Sequence, residues 1–329
     1  MTKTWSIGNK VIQGPLVLAP LAGIGDIPFR MLCKRYGVDL VYTEFVSAQG
    51  LLHKNKGSFK MLKVEDLEHP VTIQLFGSRP EHLAEAVKYV EQAGADFVDL
   101  NCGCPEPKVV RTGSGSALMS DPGLIARIVE AMVKSTSLPV TVKTRIGTRR
   151  GFPIAAEIAR LCEMAGASAF ALNCCYVSQG FVGPFDWEYI RTIKQTVKIP
   201  VIANGGIKNG KDVLEVLDKG ADAAMVGRVT LGAPWAFEWI RDEMDGLGKR
   251  TIPLKERFSV MMEHLGLEVE MRGEKIGVSE MRKHWAWYVK GLPGASKFRE
   301  EAVAGKTLQQ MNDTLSRFRE YLERQGEER

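Results

Sequence analysis

The sequence predicts an α/β protein, a (β/α)8 TIM barrel followed by a smaller C-terminal helical domain. Between about residues 15 and 240, short β-branched runs alternate with amphipathic stretches, as expected for repeated βα units around a parallel sheet. Beyond Gly246-Leu247-Gly248 only helical periodicity continues. A chain of 329 residues exceeds what one core usually supports. We therefore predict a barrel over residues 1–245 and a helical domain over 246–329.

Eight strands are predicted in the barrel. Each is a short apolar run, and each is followed by a stretch that can form a helix. Their ranges are Leu16–Ala19, Leu40–Thr43, Val71–Phe76, Phe97–Asn101, Val140–Lys143, Ala169–Asn173, Val201–Asn204 and Ala223–Val226.

Start and stop signals for helices lie between these strands. Four capping side chains stand just before a first-turn proline or glycine: Asp26, Ser78, Ser120 and Asn209. Four glycines end helical stretches just before the next strand: Gly37, Gly94, Gly166 and Gly220. Their regular recurrence favours repeated βα units over a mixed α+β arrangement.

The region beyond residue 246 has apolar faces at helical spacing. They run over 258–271 and 278–289, and they are rich in methionine and aromatic residues. Pro293-Gly294-Ala295 breaks this pattern once. A final amphipathic helix is predicted over 307–325.

Composition is that of an ordinary globular protein, with 45% hydrophobic and 25% charged residues. The start of the chain lacks the apolar stretch of a signal peptide, and no run of about 18 apolar residues follows, so we expect a cytoplasmic protein without a membrane span. Six cysteines in a chain this long predict reduced thiols rather than a disulfide framework. A net charge of +5 permits a polyanionic partner but is below that of a dedicated nucleic-acid module.

Barrel enzymes carry their sites at the carboxyl ends of the strands. The last two predicted strands end in Asn204-Gly205-Gly206 and Gly227-Arg228. Such ends can bind a phosphate through backbone N–H groups, and Arg228 could add a charge-assisted contact. Alternatively, these glycines only form tight turns.

Lys143 stands near the end of the fifth predicted strand. An unpaired ammonium is costly to bury, so Lys143 calls for an anionic or electron-rich partner. It could stabilise a reduced flavin ring, with Gln74 at the ring edge. A solvent-exposed lysine without a role is the alternative.

Cys104 lies in a glycine-containing turn after the fourth predicted strand, where a thiol is more accessible than in a core. It could act as a proton donor. Equally, it could be an inert, small apolar residue.

At these residues the sequence resembles the dihydrouridine synthase family, flavoenzymes that reduce uridine in tRNA. The resemblance covers nearly the whole chain and keeps the order of the family's motifs. The matching segments are 19–30, Tyr42-Thr43-Glu44, 74–78, Asn101-Cys102-Gly103-Cys104-Pro105 with Lys108-Val109-Val110, 115–118, 142–145, 204–207, 282–288 and 290–294.

The resemblance implies a complete reaction scheme. NADPH reduces FMN, reduced FMN passes a hydride to uracil C6, and the cysteine that matches Cys104 protonates C5. It implies substrate contacts for Asn101 and Arg145, and a C-terminal domain that binds tRNA. The implied FMN-binding residues are Pro20, Leu21, Ala22, Gln74, Lys143, Asn204, Gly205, Gly206, Gly227 and Arg228. We expect a monomer.

One motif departs from the family. After the sixth strand the family usually reads His-Gly-Arg-Thr, whereas this chain reads Asn173-Cys174-Cys175-Tyr176. Asn173 keeps hydrogen bonding at the substrate but cannot titrate near neutral pH, and a fixed positive charge is lost. None of the five histidines lies where it would compensate.

The cysteines suggest a further hypothesis. Cys102, Cys104, Cys174 and Cys175 come from the ends of the fourth and sixth strands, so thiolates there could hold a metal ion or an iron–sulfur cluster. Adjacent cysteines point to opposite sides of an extended chain, so at most three would converge, and we assign no metal ligands.

Three functions follow from the sequence. The first is FMN-dependent reduction of uridine in tRNA. The second is an FMN oxidoreductase or RNA-modifying flavoenzyme of the same fold, with a different substrate or reaction because Asn173 and Cys175 replace the histidine and arginine. The third is an RNA-binding homologue without catalysis; the joint presence of Gln74, Cys104, Lys143 and Arg145 speaks against it.

Overall fold

The computed structural model describes residues 4–248 and 250–326. Within them, the strands are β1 (Trp5–Ile7), β2 (Lys10–Ile12), β3 (Leu16–Leu18), β4 (Leu40–Ser47), β5 (Val71–Phe76), β6 (Phe97–Asn101), β7 (Val140–Arg145), β8 (Ala169–Asn173), β9 (Val201–Asn204) and β10 (Ala223–Val226). Strands β3 to β10 form a closed parallel barrel, in which β10 pairs with both β9 and β3. The predicted TIM barrel is therefore confirmed.

All eight predicted barrel strands are present, and two are longer than predicted. β4 continues to Ser47 and β7 to Arg145. An irregularity in β4 between Tyr42 and Phe45 shifts its register against β5, and pairing then resumes as far as Phe76. The extensions carry both strands further toward the carboxyl end of the barrel.

The described helices surround the barrel and then continue beyond it. Those of the barrel are α1 (Ile27–Arg35), α2 (Ala48–Leu52), α3 (Lys56–Lys60), α4 (Pro80–Gln92), α5 (Pro107–Val110), α6 (Pro122–Val133), α7 (Ala155–Met164), α8 (Tyr189–Thr196), α9 (Gly210–Asp218) and α10 (Ala236–Met244). The C-terminal ones are α11 (Leu254–Arg272), α12 (Glu274–Tyr288), α13 (Ala295–Ala304) and α14 (Leu308–Arg324).

Two of the four predicted helix caps are confirmed. The Asp26 side chain accepts a hydrogen bond from the N–H of Phe29, and Asn209 accepts one from Asp212. The other two were placed one residue too early. At α6 the Asp121 carboxylate accepts from Leu124, as a stronger acceptor next to Ser120. At α4 the cap is Arg79, because the Ser78 hydroxyl donates to the carbonyl of Thr112 instead.

The hairpin of β1 and β2 closes the amino-terminal end of the barrel, and the sequence did not predict it. Trp5, Ile7 and Ile12 join the apolar cluster inside the barrel. Lys10 forms an ion pair with Asp96, just before β6. Because this end of the barrel is filled, only the carboxyl end remains open for a site.

The C-terminal helices have an apolar cluster of their own, to which the barrel also contributes. Leu32 of α1 and Trp235, just before α10, pack with the buried side chains of α11 to α14. Residues on both sides of the predicted domain boundary at residue 245 thus share one apolar cluster. The division of the chain into two separate domains stays a prediction. No described helix is both long and apolar enough to span a bilayer.

Candidate active site at the carboxyl end of the barrel

The predicted site residues all lie at the carboxyl ends of barrel strands or in the loops that follow. Pro20, Leu21 and Ala22 follow β3, Gln74 is in β5, Asn101 and Cys104 end and follow β6, Lys143 and Arg145 are in β7, Asn173 ends β8, Asn204, Gly205 and Gly206 end and follow β9, and Gly227 and Arg228 follow β10. Four of them are buried, namely Gln74, Asn101, Arg145 and Asn204. Ala22 and Arg228 are exposed, and the others are half-buried. The set therefore extends from the buried interior of the barrel to an exposed rim at Ala22 and Arg228.

A chain of hydrogen bonds runs from the barrel interior to the loop that carries Cys104. Gln74 Nε2 donates to Asp99 Oδ2 at 2.7 Å, and Asn101 Nδ2 donates to Gln74 Oε1 at 2.8 Å. Asn101 Oδ1 accepts from the backbone N–H groups of Gly103 and Cys104 at 3.1 and 3.0 Å. The chain fixes the orientation of both amides and holds the loop against the end of β6.

Asp99 is the functional residue that the sequence analysis missed. It is fully buried, and Thr141 Oγ1 donates to its Oδ1 at 2.5 Å. Burial raises the pKa of Asp99 to about 6, although the hydrogen bonds and the nearby Lys143 favour the charged form. Because strand side chains alternate between faces, its position two residues before Asn101 was a usable signal.

Lys143 is held by a second amide. Its Nζ donates to Asn204 Oδ1 at 2.9 Å, and Asn204 Nδ2 in turn donates to the carbonyl of Met225 at 2.8 Å. Burial, aided by Arg145, lowers the pKa of Lys143 to about 8. No described carboxylate forms an ion pair with it. An ammonium has three donors, so Lys143 retains two for another partner.

Arg145 ties the loops after β6 and β8 together. Its Nε donates to the carbonyl of Gly103 at 2.9 Å, and one terminal nitrogen donates to Tyr176 at 3.2 Å and to Gly180. The residue is only 2% exposed. Much of its donor capacity is used within the protein, and the substrate contact predicted for it stays a prediction.

The unusual segment after β8 packs against Arg145. Cys175 Sγ accepts from the Arg145 guanidinium at 3.1 Å and contacts Asn173 Oδ1 at 3.2 Å. Burial raises the pKa of Cys175, so the thiol is neutral near pH 7. Cys174 is fully buried on the other side of the chain. This wall of the site thus carries an amide and a neutral thiol.

Cys104 is the one of the four clustered cysteines that is half-exposed. Burial is the main cause that raises the pKa of its thiol, outweighing the nearby Arg145 and Lys143. The thiol is therefore protonated near neutral pH and can donate a proton. Among the described residues, no three of the four cysteines are close enough to share a metal ion, so the structure does not support a cluster there.

The ends of β9 and β10 present free backbone donors. No described acceptor binds the N–H groups of Gly205, Gly206, Gly227 and Arg228. Arg228 is exposed, and no described carboxylate pairs with it. Four free amides beside an unpaired guanidinium are the chemistry that a phosphate requires.

The Phe185 ring packs against the two adjacent glycines and lies 5.8 Å from the Arg228 guanidinium carbon. A Cβ at Gly205 would lie 2.9 Å from the Phe185 ring, and one at Gly206 would lie 2.6 Å from it. Both glycines also have positive φ, 98° and 82°. Only glycine fits at these two positions, because any side chain would meet the ring and strain the backbone.

The basic run Arg282-Lys283-His284 of the C-terminal helices is largely engaged within the protein. Lys283 pairs with Asp26 and Glu280, and His284 is 1% exposed. In contrast, Lys290 is exposed and lies 5.7 Å from the ring centre of the exposed Trp287. Of these basic residues, Lys290 is the one that remains open to a polyanion.

Comparison with known proteins finds similar sequences over most of the chain. The family model for dihydrouridine synthase matches residues 17–324. A "Probable tRNA-dihydrouridine synthase" of Rickettsia bellii is 38% identical over 296 residues, covering 89% of this chain and 91% of that protein. The "tRNA-dihydrouridine synthase B" of Pseudomonas aeruginosa is 37% identical, covering 90% of each.

Solved structures agree on the fold. A variant of NCR from Zymomonas mobilis superimposes with a TM-score of 0.54 at 14% identity, covering 76% of this chain and 92% of that one. A 2-naphthoyl-CoA reductase complex gives a TM-score of 0.60 at 13% identity, covering 74% of this chain and 52% of that one. At this level of identity the likeness concerns the barrel alone.

Proposed function

The chain belongs to the dihydrouridine synthase family, and from this premise we propose that it uses a bound flavin to reduce uridine in tRNA to 5,6-dihydrouridine. The names of its relatives supply the substrate class. The observation that best supports this reaction is the half-exposed, protonated thiol of Cys104, held by Asn101 at the mouth of the barrel.

The residues at the mouth fit FMN as the flavin. The free amides of Gly205, Gly206, Gly227 and Arg228 would hold its phosphate, and the Arg228 side chain would add a positive charge. The flavin ring would contact Gln74 and Lys143, and Asn204 would hold Lys143 in position. One side of the ring would be lined by Pro20, Leu21 and Ala22. Lys143 has two donors to spare, whereas Gln74 already uses both ends of its amide.

Bound FMN, once reduced by NADPH, would supply a hydride to C6 of the uracil. The uracil then carries enolate charge over C5, C4 and O4, which an acid must quench. Cys104 gives its S–H proton to C5, and the thiolate left behind takes a proton from water. Burial favours this cycle because it keeps the resting thiol neutral.

The uridine must leave its stack to reach the barrel mouth, as in other enzymes that modify bases. In our proposal, Asn101 and Asn173 contact the extruded base. Arg145 holds the loops around that base in place. Lys290 would contact the RNA backbone and Trp287 would offer a stacking surface. We propose that the chain works as a cytoplasmic monomer.

The test is Cys104→Ala compared with Cys102→Ala. Cys102 lies in the same loop but is fully buried. Both variants should purify yellow with one flavin per chain. With reduced nicotinamide and unmodified tRNA, Cys104→Ala should lose at least about 100-fold in dihydrouridine formed, the usual contribution of a general acid, while Cys102→Ala stays near wild type. Dihydrouridine formation by Cys104→Ala at the wild-type rate would remove Cys104 from the mechanism.

A second function is favoured by the wall after β8. Asn173 and Cys175 there supply an amide and a neutral thiol in place of the imidazole and the guanidinium of the family pattern. A different base or RNA could fit this wall. Nucleoside mass analysis of RNA from a deletion strain separates the two: loss of dihydrouridine from tRNA supports the first function, and loss of another modification supports the second. Colourless protein that still binds tRNA would instead indicate a non-catalytic homologue.

A further inference from the structure

Four polar side chains meet in the interior between the barrel and the C-terminal helices, and none of them has a role in the proposed reaction. Asp26 comes from the loop after β3, His264 and Glu268 from successive turns of α11, and His284 from α12. All four are buried, with at most 3% of their surface exposed. We call these residues the interface cluster.

One ligand atom from each member lies within 4.8 Å of the other three. His264 Nε2 is 4.0 Å from Glu268 Oε1, and His284 Nε2 is 3.9 Å from Asp26 Oδ2. These are too long for hydrogen bonds. Two imidazoles and two carboxylates therefore face one common point without bonding to one another directly at these atoms.

The atoms that face this point lack hydrogen-bond partners. His264 Nε2, His284 Nε2 and Glu268 Oε1 are buried without one in the described part of the chain, whereas Glu268 Oε2 has an ion-pair partner in Arg272. A buried polar atom left without a partner costs about 1–3 kcal/mol. Three such atoms at one place are unusual in a folded protein, and they indicate a missing partner that could bind two imidazole nitrogens and a carboxylate oxygen together.

The outer sides of the cluster are held in place. His264 Nδ1 bonds the Tyr288 hydroxyl at 2.9 Å, which fixes the ring and leaves Nε2 facing the cluster. Asp26 Oδ1 caps α1 through Phe29, and Oδ2 faces the cluster. Arg272 Nε lies 2.8 Å from Glu268 Oε2. Metal-binding imidazoles and carboxylates in proteins are typically anchored in this way.

We propose that the interface cluster is a structural site for a divalent transition-metal ion of the zinc class. Two imidazole nitrogens and two carboxylate oxygens supply the four ligands of a closed tetrahedral zinc site. Bonds of about 2 Å would draw the four atoms closer together than they lie here, a change that side-chain rotation can supply. The ion would join α11 and α12 to the barrel.

Two cations at the rim compete with such an ion. Lys283 Nζ lies 3.2 Å and an Arg272 nitrogen 3.5 Å from Asp26 Oδ2, and Lys283 is shared with Glu280 at 2.7 Å. Neither cation forms a hydrogen bond with the free imidazole nitrogens, His264 Nε2 and His284 Nε2. Without an ion, burial and the neighbouring Asp26 raise the pKa of the Glu268 carboxyl group, which favours its protonated form.

The first experiment uses the wild-type chain. Protein purified without chelators or a metal-affinity step should contain about one zinc per chain by mass spectrometry of the elements. Unfolded, chelated protein should regain one equivalent of cobalt(II) on refolding, with the visible bands of tetrahedral nitrogen and oxygen ligation. A thiolate charge-transfer band would assign the ion to the cysteines and overturn the proposal.

The second experiment removes the ligands. His264→Gln with His284→Gln should lose the bound equivalent, whereas His53→Gln, an exposed histidine of the same chain, should keep it. Metal content unchanged in the double variant would overturn the proposal. Wild-type protein that carries no metal and takes up neither zinc nor cobalt on refolding would also overturn the proposal. This second result can be obtained even if the double variant fails to fold. Flavin content reports on the proposed function separately.

Discussion

Among single residues, Asp99 has the strongest influence on the charge beneath the candidate site. It is buried between Thr141 and Gln74, and Lys143 is close enough to favour its charged form. Its pKa of about 6 exceeds the value of about 3.9 in an unfolded chain. The carboxyl group thus costs stability at neutral pH, yet it orients the amides that hold the Cys104 loop.

We expect Asp99→Asn to remove a pH dependence of stability. Between about pH 4 and 6 the native state holds a proton that the unfolded chain has released, so stability falls as pH rises through this window. Asparagine cannot ionise, and it can still bond Gln74 and Thr141. At pH 7 the variant should gain up to about 3 kcal/mol in free energy of unfolding.

Urea unfolding at several pH values measures this effect. Asp245→Asn, at an exposed aspartate, is the control and should follow the wild type. Equal slopes for Asp99→Asn and wild type between pH 4 and 6 would contradict the assignment.

Site residues differed in how well the sequence predicted them. The positions of Lys143 and Cys104 at the mouth of the barrel were predictable, because the strand ends of a barrel converge, while their roles stay predictions. The roles of Gln74 and Arg145 were harder to foresee, since both use most of their polar groups within the protein. The interface cluster could not be predicted, because its members come from three separate elements that only tertiary packing brings together.

At the scale of elements, α11 and α12 approach one another unusually closely. Gly277 of α12 faces the backbone of α11, where an added Cβ would lie 2.6 Å from backbone atoms of Glu268 and Val269. Backbone atoms cannot rotate away as a side chain can. This contact sets the spacing of the two helices and thereby of His264 and His284.

Gly277→Ala should destabilise the protein although alanine is the better helix former. The gain of about 1 kcal/mol in helix propensity is outweighed by overpacking of about 1–3 kcal/mol. Gly266→Ala in α11 is the matched control: its Cβ would meet nothing within 4 Å, so it should stabilise by up to about 1 kcal/mol. Thermal unfolding of both variants measures the difference in stability. A Gly277→Ala variant as stable as Gly266→Ala would contradict the close approach of α11 and α12.

The barrel strands were predictable because fully buried strands read as apolar runs. The hairpin of β1 and β2 was not, since three-residue strands carry too little pattern. Helix α13 was missed for a similar reason: it lies between the break at residue 294 and α14, and only Phe298 and Ala302 are buried in it.

For the whole molecule, the decisive contact is the one between the loop after β10 and the end of α12. Gly232 has a φ of 64°, and an added Cβ would collide with the backbone of Trp287 and Tyr288 and lie 2.7 Å from the Trp287 Cβ. Together with Leu32 and Trp235 in the C-terminal cluster, this contact fixes the helices on the barrel.

We expect Gly232→Ala to lower the free energy of unfolding by about 3 kcal/mol, through left-handed strain and overpacking together. Gly246→Ala isolates the strain, because Gly246 has a φ of 76° and an added Cβ there would meet nothing within 4 Å. That control should lose only about 1 kcal/mol. Differential scanning calorimetry compares the stability of the two variants. Equal losses in the free energy of unfolding would show that α12 is not in close contact with this loop.

The hairpin of β1 and β2 also determines how the protein can be attached to a support. Gly8 lies against Pro139, and Lys10 reaches Asp96. Both partners precede strands, so the first described residue, Thr4, leaves from the end of the barrel opposite Cys104. Protein attached to a support through the exposed Val11 side of this hairpin would present the mouth outward, so that a large folded RNA could reach it without passing the support.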